Sequence, residues 1–143
     1  MRRWMAALLV AGGMLAGASG GARAASLVAR VDISTQTMTV SLYGDVIAQW
    51  PVSTARKGYA TKKGSFRPTR LHRMWHSKKY DNAPMPYSVF YYGGYAIHGT
   101  NHVKSLGRPA SHGCVRLHTA NAARFYSLVQ EVGRGDTRIV VQN

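Results

Sequence analysis

Cys114 is the only cysteine of the chain, and it stands in the stretch Ser111-His112-Gly113-Cys114-Val115-Arg116, two positions beyond a histidine and directly after a glycine. A thiol becomes a strong nucleophile when an imidazole within hydrogen-bond reach lowers its pKa and carries its proton. Two histidines compete for that task. His112 is two residues away, so in extended chain both side chains share one face. His98 lies 16 positions upstream, just before Gly99. Spacing alone leaves the choice open. Gly113 has no side chain to keep a substrate carbonyl away, and the backbone N–H groups of Gly113 and Cys114 are placed to hold an oxyanion. A plain turn glycine is the simpler alternative.

The remaining histidines raise a metal. His98, His102, His112, Cys114 and His118 offer enough ligand atoms, but their spacing fits no common zinc pattern and no acid lies nearby in sequence. His72 and His76 are single residues in a basic stretch. We therefore expect no metal and no cofactor.

The start of the chain supports a reactive thiol over an inert one. Arg2 and Arg3, an apolar run from Met5 to Leu15 and the small-x-small triplet Ala22-Arg23-Ala24 compose a secretory signal, with cleavage expected after Ala24. The apolar run is short for a bilayer span, so no stable membrane span is expected after cleavage. An exported protein meets oxidising conditions, where a cysteine without a partner calls for a reason.

The expected division is a signal peptide over residues 1–24 and one domain over 25–143. Losing Arg2, Arg3 and Arg23 takes Lys plus Arg from 19 to 16 against 5 acids, leaving a net charge of +11. That favours anionic partners, and export turns the choice from nucleic acid toward an anionic surface or wall polymer.

Alternating apolar residues in Leu27–Ile33 and Met38–Leu42, then Val46–Val52 after Gly44-Asp45, predict a β-meander. Ser53 to Lys63 reads as a polar surface loop, and Phe66 to Leu71 as an edge strand bent at Pro68. From His72 to Pro86 the pattern is lost in an aromatic, basic segment suited to a lid or binding loop, or to a poorly ordered excursion. Tyr87–Tyr92 and Tyr95–His98 form a hairpin about Gly93-Gly94, which brings His98 to a strand end. Thr119 is a candidate N-cap for a helix carrying Ala122, Phe125, Tyr126 and Val129; Gly133 and Gly135 end it before a strand over Thr137–Val141. The expected fold is mainly β with one or two helices.

Two linked motifs then take on a family look. Ala96-Ile97-His98-Gly99-Thr100, followed by Leu106-Gly107-Arg108-Pro109-Ala110-Ser111-His112-Gly113-Cys114-Val115-Arg116-Leu117, resembles the signature of the YkuD-type L,D-transpeptidase catalytic domain. The resemblance implies a YkuD-like β-sandwich in which Cys114 is the nucleophile, His98 its base and the backbone carbonyl of Gly99 the group that orients His98. It leaves His112 and Ser111 as supporting residues of the pocket, and Arg116 to hold a substrate carboxylate or brace the loop.

The implied reaction is attack on the L-centre carbonyl of the third residue of a peptidoglycan tetrapeptide stem. D-alanine leaves, a thioester forms, and an amine from another stem, or from an envelope protein, resolves it in the periplasm or at the wall. Resolution by water, giving a carboxypeptidase or a hydrolase of crosslinks or wall-linked proteins, uses the same thioester. A non-catalytic wall-binding protein is the reading from another class. The pairing also implies a Cys114 pKa depressed by His98. One departure from the family pattern is Thr61-Lys62-Lys63-Gly64-Ser65-Phe66, where the family often has proline in place of Lys62.

Overall fold

A computed structural model describes residues 23–143. The expected signal peptide falls almost wholly outside the described residues. Among the described residues, no helix is long and apolar enough to cross a membrane.

The architecture is two β-sheets and one α-helix. Strands β1 (Leu27–Asp32), β2 (Thr37–Leu42) and β3 (Asp45–Pro51) form the expected meander. They are joined by β9 (Thr137–Gln142) and β4 (Gly64–Phe66) in the order β3-β2-β1-β9-β4. The second sheet runs β5-β6-β7-β8, from β5 (Arg70–His76), β6 (Pro84–Tyr92), β7 (Tyr95–Thr100) and β8 (Val115–His118). Most neighbours are antiparallel, but β1 with β9 and β7 with β8 are parallel. Parallel pairs need a long crossover, and α1 (Thr119–Val132) supplies part of the one that ends in β9.

The alternation read from the sequence becomes burial. Leu27, Ala29 and Val31 of β1 and Met38 and Val40 of β2 are closed off from solvent, together with Val89, Ile97, Val115 and Leu117 of the second sheet. Ala122, Phe125, Tyr126 and Val129 lay the apolar face of α1 onto this core. Gly133, with φ +91°, ends the helix, and its N–H closes on the Val129 carbonyl at 2.9 Å. The N-cap is His118 and not Thr119: the imidazole Nδ1 of His118 accepts the Ala120 N–H at 3.2 Å.

Two loop expectations need correction. His72 to Pro86 is mostly strand, with β5 and β6 pairing from Arg70↔Phe90 to His76↔Pro84, and only residues 77–83 remain as a connection. No alternation is visible because β5 is an edge strand with four exposed residues, while β6 is buried on both faces, Val89 and Tyr91 in the core and Met85 and Phe90 toward a cavity. Ser53 to Lys63 is also more than a surface loop, since Ser53, Thr54 and Thr61 are buried.

Candidate active site

That buried stretch straps the cysteine motif to the meander. Ser53 and Arg116 exchange backbone hydrogen bonds of 3.0 and 2.9 Å, the Thr54 carbonyl accepts the Ala110 and Ser111 N–H groups at 2.9 Å, and Arg56 N–H donates to the Ser111 carbonyl at 2.9 Å. Gln36, itself buried, holds Thr54 through both ends of its amide: Oε1 accepts the Thr54 N–H at 3.0 Å and Nε2 donates to the Thr54 hydroxyl at 2.6 Å. Buried polar groups keep their place only when paired, so this network fixes the strap and with it the loop that carries Cys114. A polar composition read as solvent-facing gives no sign of it.

Strand pairing then places the chemistry. In the parallel β7–β8 ladder Ile97 sits opposite Val115, and His98 opposite Arg116. Ile97 and Val115 point into the core. Alternation therefore turns Ala96, His98, Cys114 and Arg116 to the other face. His98, Cys114 and Arg116 line one cavity of about 680 Å³ there. Its opposite wall is the β5–β6 hairpin and its connection, with Arg70, Trp75, Lys78, Lys79, Tyr80 and Asp81. Sequence reasoning marked this basic segment only as a whole.

His98 is 6% exposed, and its Nδ1 lies 2.7 Å from the Gly99 carbonyl oxygen. A carbonyl only accepts, so Nδ1 carries the proton and Nε2 keeps its lone pair. Burial pushes the imidazole pKa down to about 4, with the Gly99 hydrogen bond opposing and the Arg116 charge adding to the fall. Cys114 is half-buried, and its thiol donates to the Gly94 carbonyl at 3.7 Å. Burial pushes the thiol pKa up, and the Ala96 N–H and Arg116 offset this only in part. The depressed thiol pKa expected from the sequence is thus not what these surroundings give: burial disfavours the charged form of both groups, raising the thiol and lowering the imidazole.

Gly99 is packed tightly in its own right, since a Cβ there would lie 3.0 Å from Thr119 and 3.1 Å from Pro86. Gly113 has φ +140°, and a Cβ on it would lie 3.0 Å from the Tyr95 ring and 3.1 Å from the Ala60 carbonyl. The Gly113 N–H donates to the Ser111 hydroxyl at 3.1 Å, and that hydroxyl donates to the Cys114 carbonyl at 2.6 Å. Ser111 is fully buried, and its hydroxyl closes the turn.

His112 lines the same cavity, where its ring is held by aromatic neighbours. Its ring stacks on Tyr80, with centroids 4.1 Å apart and planes 11° apart, and meets the edge of Tyr59 at 4.9 Å. Partial burial, then the charges of Arg56 and Arg116, hold its pKa below the usual histidine value. Arg116 makes no ion pair with another described residue. Of the other histidines, His72 packs against Trp75 and His102 lines the cavity, while His118 caps α1. Among the described residues, no three His, Cys, Asp or Glu side chains gather as a metal site.

Two sheets, one helix and a thiol and an imidazole turned into one cleft define a class, and comparison with known proteins gives its family. The family model described as the L,D-transpeptidase catalytic domain, YkuD, matches residues 26–141, and the chain belongs to this family. It is 28% identical over 103 residues to the YkuD protein of Bacillus subtilis, covering 69% of this chain and 58% of that protein.

Solved relatives share the fold. An L,D-transpeptidase from Mycobacterium smegmatis superposes with a TM-score of 0.74 at 27% identity, over 83% of this chain and 59% of the other. The LD transpeptidase LdtMt1, solved in complex with imipenem, gives 0.73 at 28% identity, over 82% and 59%. An L,D-transpeptidase from Stackebrandtia nassauensis gives 0.73 at 25%, over 90% and 62%. The chain thus spans about three fifths of the length of these relatives.

Proposed function

We propose that the chain is an exported cysteine L,D-transpeptidase acting on peptidoglycan stem peptides, with residues 25–143 as its catalytic domain. The observation that carries this reading is the 2.7 Å contact of His98 Nδ1 with the Gly99 carbonyl, which leaves Nε2 as the basic atom of a ring that lines the same cavity as Cys114.

In the proposed reaction the Cys114 thiol gives its proton to His98 Nε2 as the sulfur attacks the L-centre carbonyl carbon of the third stem residue. The tetrahedral intermediate collapses with cleavage of the bond to D-alanine, whose amine takes the proton from His98. An acceptor amine then attacks the thioester, His98 removes its proton, and the thiol is restored as the new amide forms. Neutral partners suit this sequence, because the proton moves only as the carbonyl is attacked. The Cys114 N–H and the Gly113 N–H are the proposed oxyanion donors, and the second must first be released by Ser111. Arg70, Lys78, Lys79 and Arg116 outnumber the single acid Asp81 around the cavity, which suits a carboxylate-bearing stem.

The deciding experiment incubates purified protein with defined tetrapeptide muropeptides and follows products by mass spectrometry. Crosslinked dimers support transfer, and shortened stems alone would replace it with hydrolysis. If neither product nor a Cys114 adduct appears, and Cys114→Ala leaves the cell's muropeptide profile unchanged, the non-catalytic wall-binding reading takes over. A carbapenem offers a direct check on the nucleophile, since intact mass should rise by one acyl group in the wild type and not in Cys114→Ala.

A further inference from the structure

A second pocket, of about 260 Å³, is lined by Arg73, Tyr87, Ala123, Tyr126, Ser127 and Gln130, and shares no lining residue with the Cys114 cavity. Ala123, Tyr126, Ser127 and Gln130 follow one another at helical spacing along a single face of α1. Across from them the β5–β6 ladder skips a step: His72↔Ser88 and Met74↔Pro86 pair, and Arg73 and Tyr87 between them do not. Tyr87 has φ +52°, a left-handed backbone that a bulky side chain rarely adopts. Such strain collects at binding sites, where the surroundings hold it in place. Here it turns the Tyr87 ring edge to face with Tyr126, centroids 5.7 Å apart, with the Arg73 guanidinium 6.0 Å from its centre.

The pocket carries one cation and several uncommitted polar groups. Arg73 has no carboxylate partner among the described residues, where Arg23 with Asp136 is the one ion pair. The hydroxyls of Tyr87, Tyr126 and Ser127 and the Gln130 amide make no hydrogen bond to another described residue. One unpaired cation calls for one negative charge, the mixed donors and acceptors match peptide N–H and C=O groups, and the two rings offer a wall for a small apolar side chain. We propose that this pocket is a second ligand site, separate from the reacting one, that binds the carboxylate terminus of a short peptide with small side chains. The inference does not depend on the reaction at Cys114.

The test uses the full chain with Cys114 alkylated by iodoacetamide, which caps the reactive thiol, and follows backbone and side-chain amides by NMR during titration, so that shifts at this pocket are told apart from shifts at the large cavity. The probes are N-acetyl-alanyl-alanine, its C-terminal amide and N-acetylglucosamine. The free acid should shift Ser127 and the Gln130 side-chain amide saturably, and the neutral amide should bind about tenfold more weakly, since it lacks the charge-assisted contact. Arg73→Gln and Gln130→Ala, both at exposed positions, should each weaken binding of the acid about fivefold or more while the rest of the spectrum stays folded. The proposal is overturned by any of four results: no saturable shift at this pocket, equal binding of acid and amide, binding untouched by Arg73→Gln, or a preference for the sugar.

Discussion

His98 and Gly99 are joined by a 2.7 Å hydrogen bond from the ring Nδ1 to the carbonyl of the neighbouring residue, which leaves Nε2 as the basic atom of a buried, neutral imidazole. A neutral base does not hold a thiolate beside it. Alkylation of Cys114 by iodoacetamide should therefore rise with an inflection above the ordinary thiol range, and His98→Ala should leave that inflection nearly in place. Acylation by a peptide donor, where the proton must move during attack, should fall in the same variant by about 10²–10⁴-fold. A low-pH inflection that disappears in His98→Ala would instead establish a thiolate–imidazolium pair.

The same burial makes stability depend on pH. The folded-state pKa of about 4 lies below the ordinary value of 6.5, so between these values the unfolded chain binds the proton and the folded one does not. Stability is then full above pH 6.5 and is lost as pH falls toward 4, by on the order of 3 kcal/mol in total. Urea midpoints at pH 7 and 4.5 should separate in the wild type, and His98→Gln should narrow the gap.

Tyr80 stacks on His112 across the mouth of the cavity, joining the 77–83 connection to the cysteine motif. A ring pair of this kind is worth about 0.5–1.5 kcal/mol. Tyr80→Ala should raise the iodoacetamide labelling rate of Cys114 up to about tenfold, with a fall in melting temperature of about a few degrees. An unchanged rate would show that the stack does not limit access.

Gly113→Ala should be costly on two counts, a backbone at φ +140° and a Cβ pressed against Tyr95 and the Ala60 carbonyl. We expect about 1–3 kcal/mol of lost stability. Acylation of Cys114 should fall further than the melting temperature alone accounts for, because the turn that aims the thiol must shift. Equal loss in both would limit Gly113 to a structural role.

Much of the molecule is legible in the order of its residues. Leu27 to Leu42 alternates with the period of a half-buried strand pair, and Ala122 to Val129 with that of a helix, because one face of each meets water. Arg70 to His76 does not alternate, since β5 is the edge strand of its sheet, with Arg70, Arg73, Met74 and His76 exposed and none of its residues fully buried. Val115–His118 is too short to show a period, yet its pairing with β7 is what turns His98 and Cys114 to the same side. Cys114, His98 and Gly113 stand out from residue type and motif. The strap of Ser53, Thr54 and Gln36 does not, because small polar residues look the same whether they face water or a buried partner.

The place of β9 has a consequence for when this molecule can form. β9 lies inside its sheet, paired in parallel with β1 from Leu27↔Thr137 to Asp32↔Gln142, contacts 110 positions apart in the chain, and among the described residues it is the only strand that β4 pairs with. Such distant contacts repay the entropy of closing the chain only late in folding. A chain interrupted before Thr137 keeps a meander open at β1 as well as at β3, and leaves β4 with no neighbour among the described residues. Folding is therefore held back until residues 137–142 have been made, and a chain emerging from the ribosome stays pliable until β9 is free to insert beside β1.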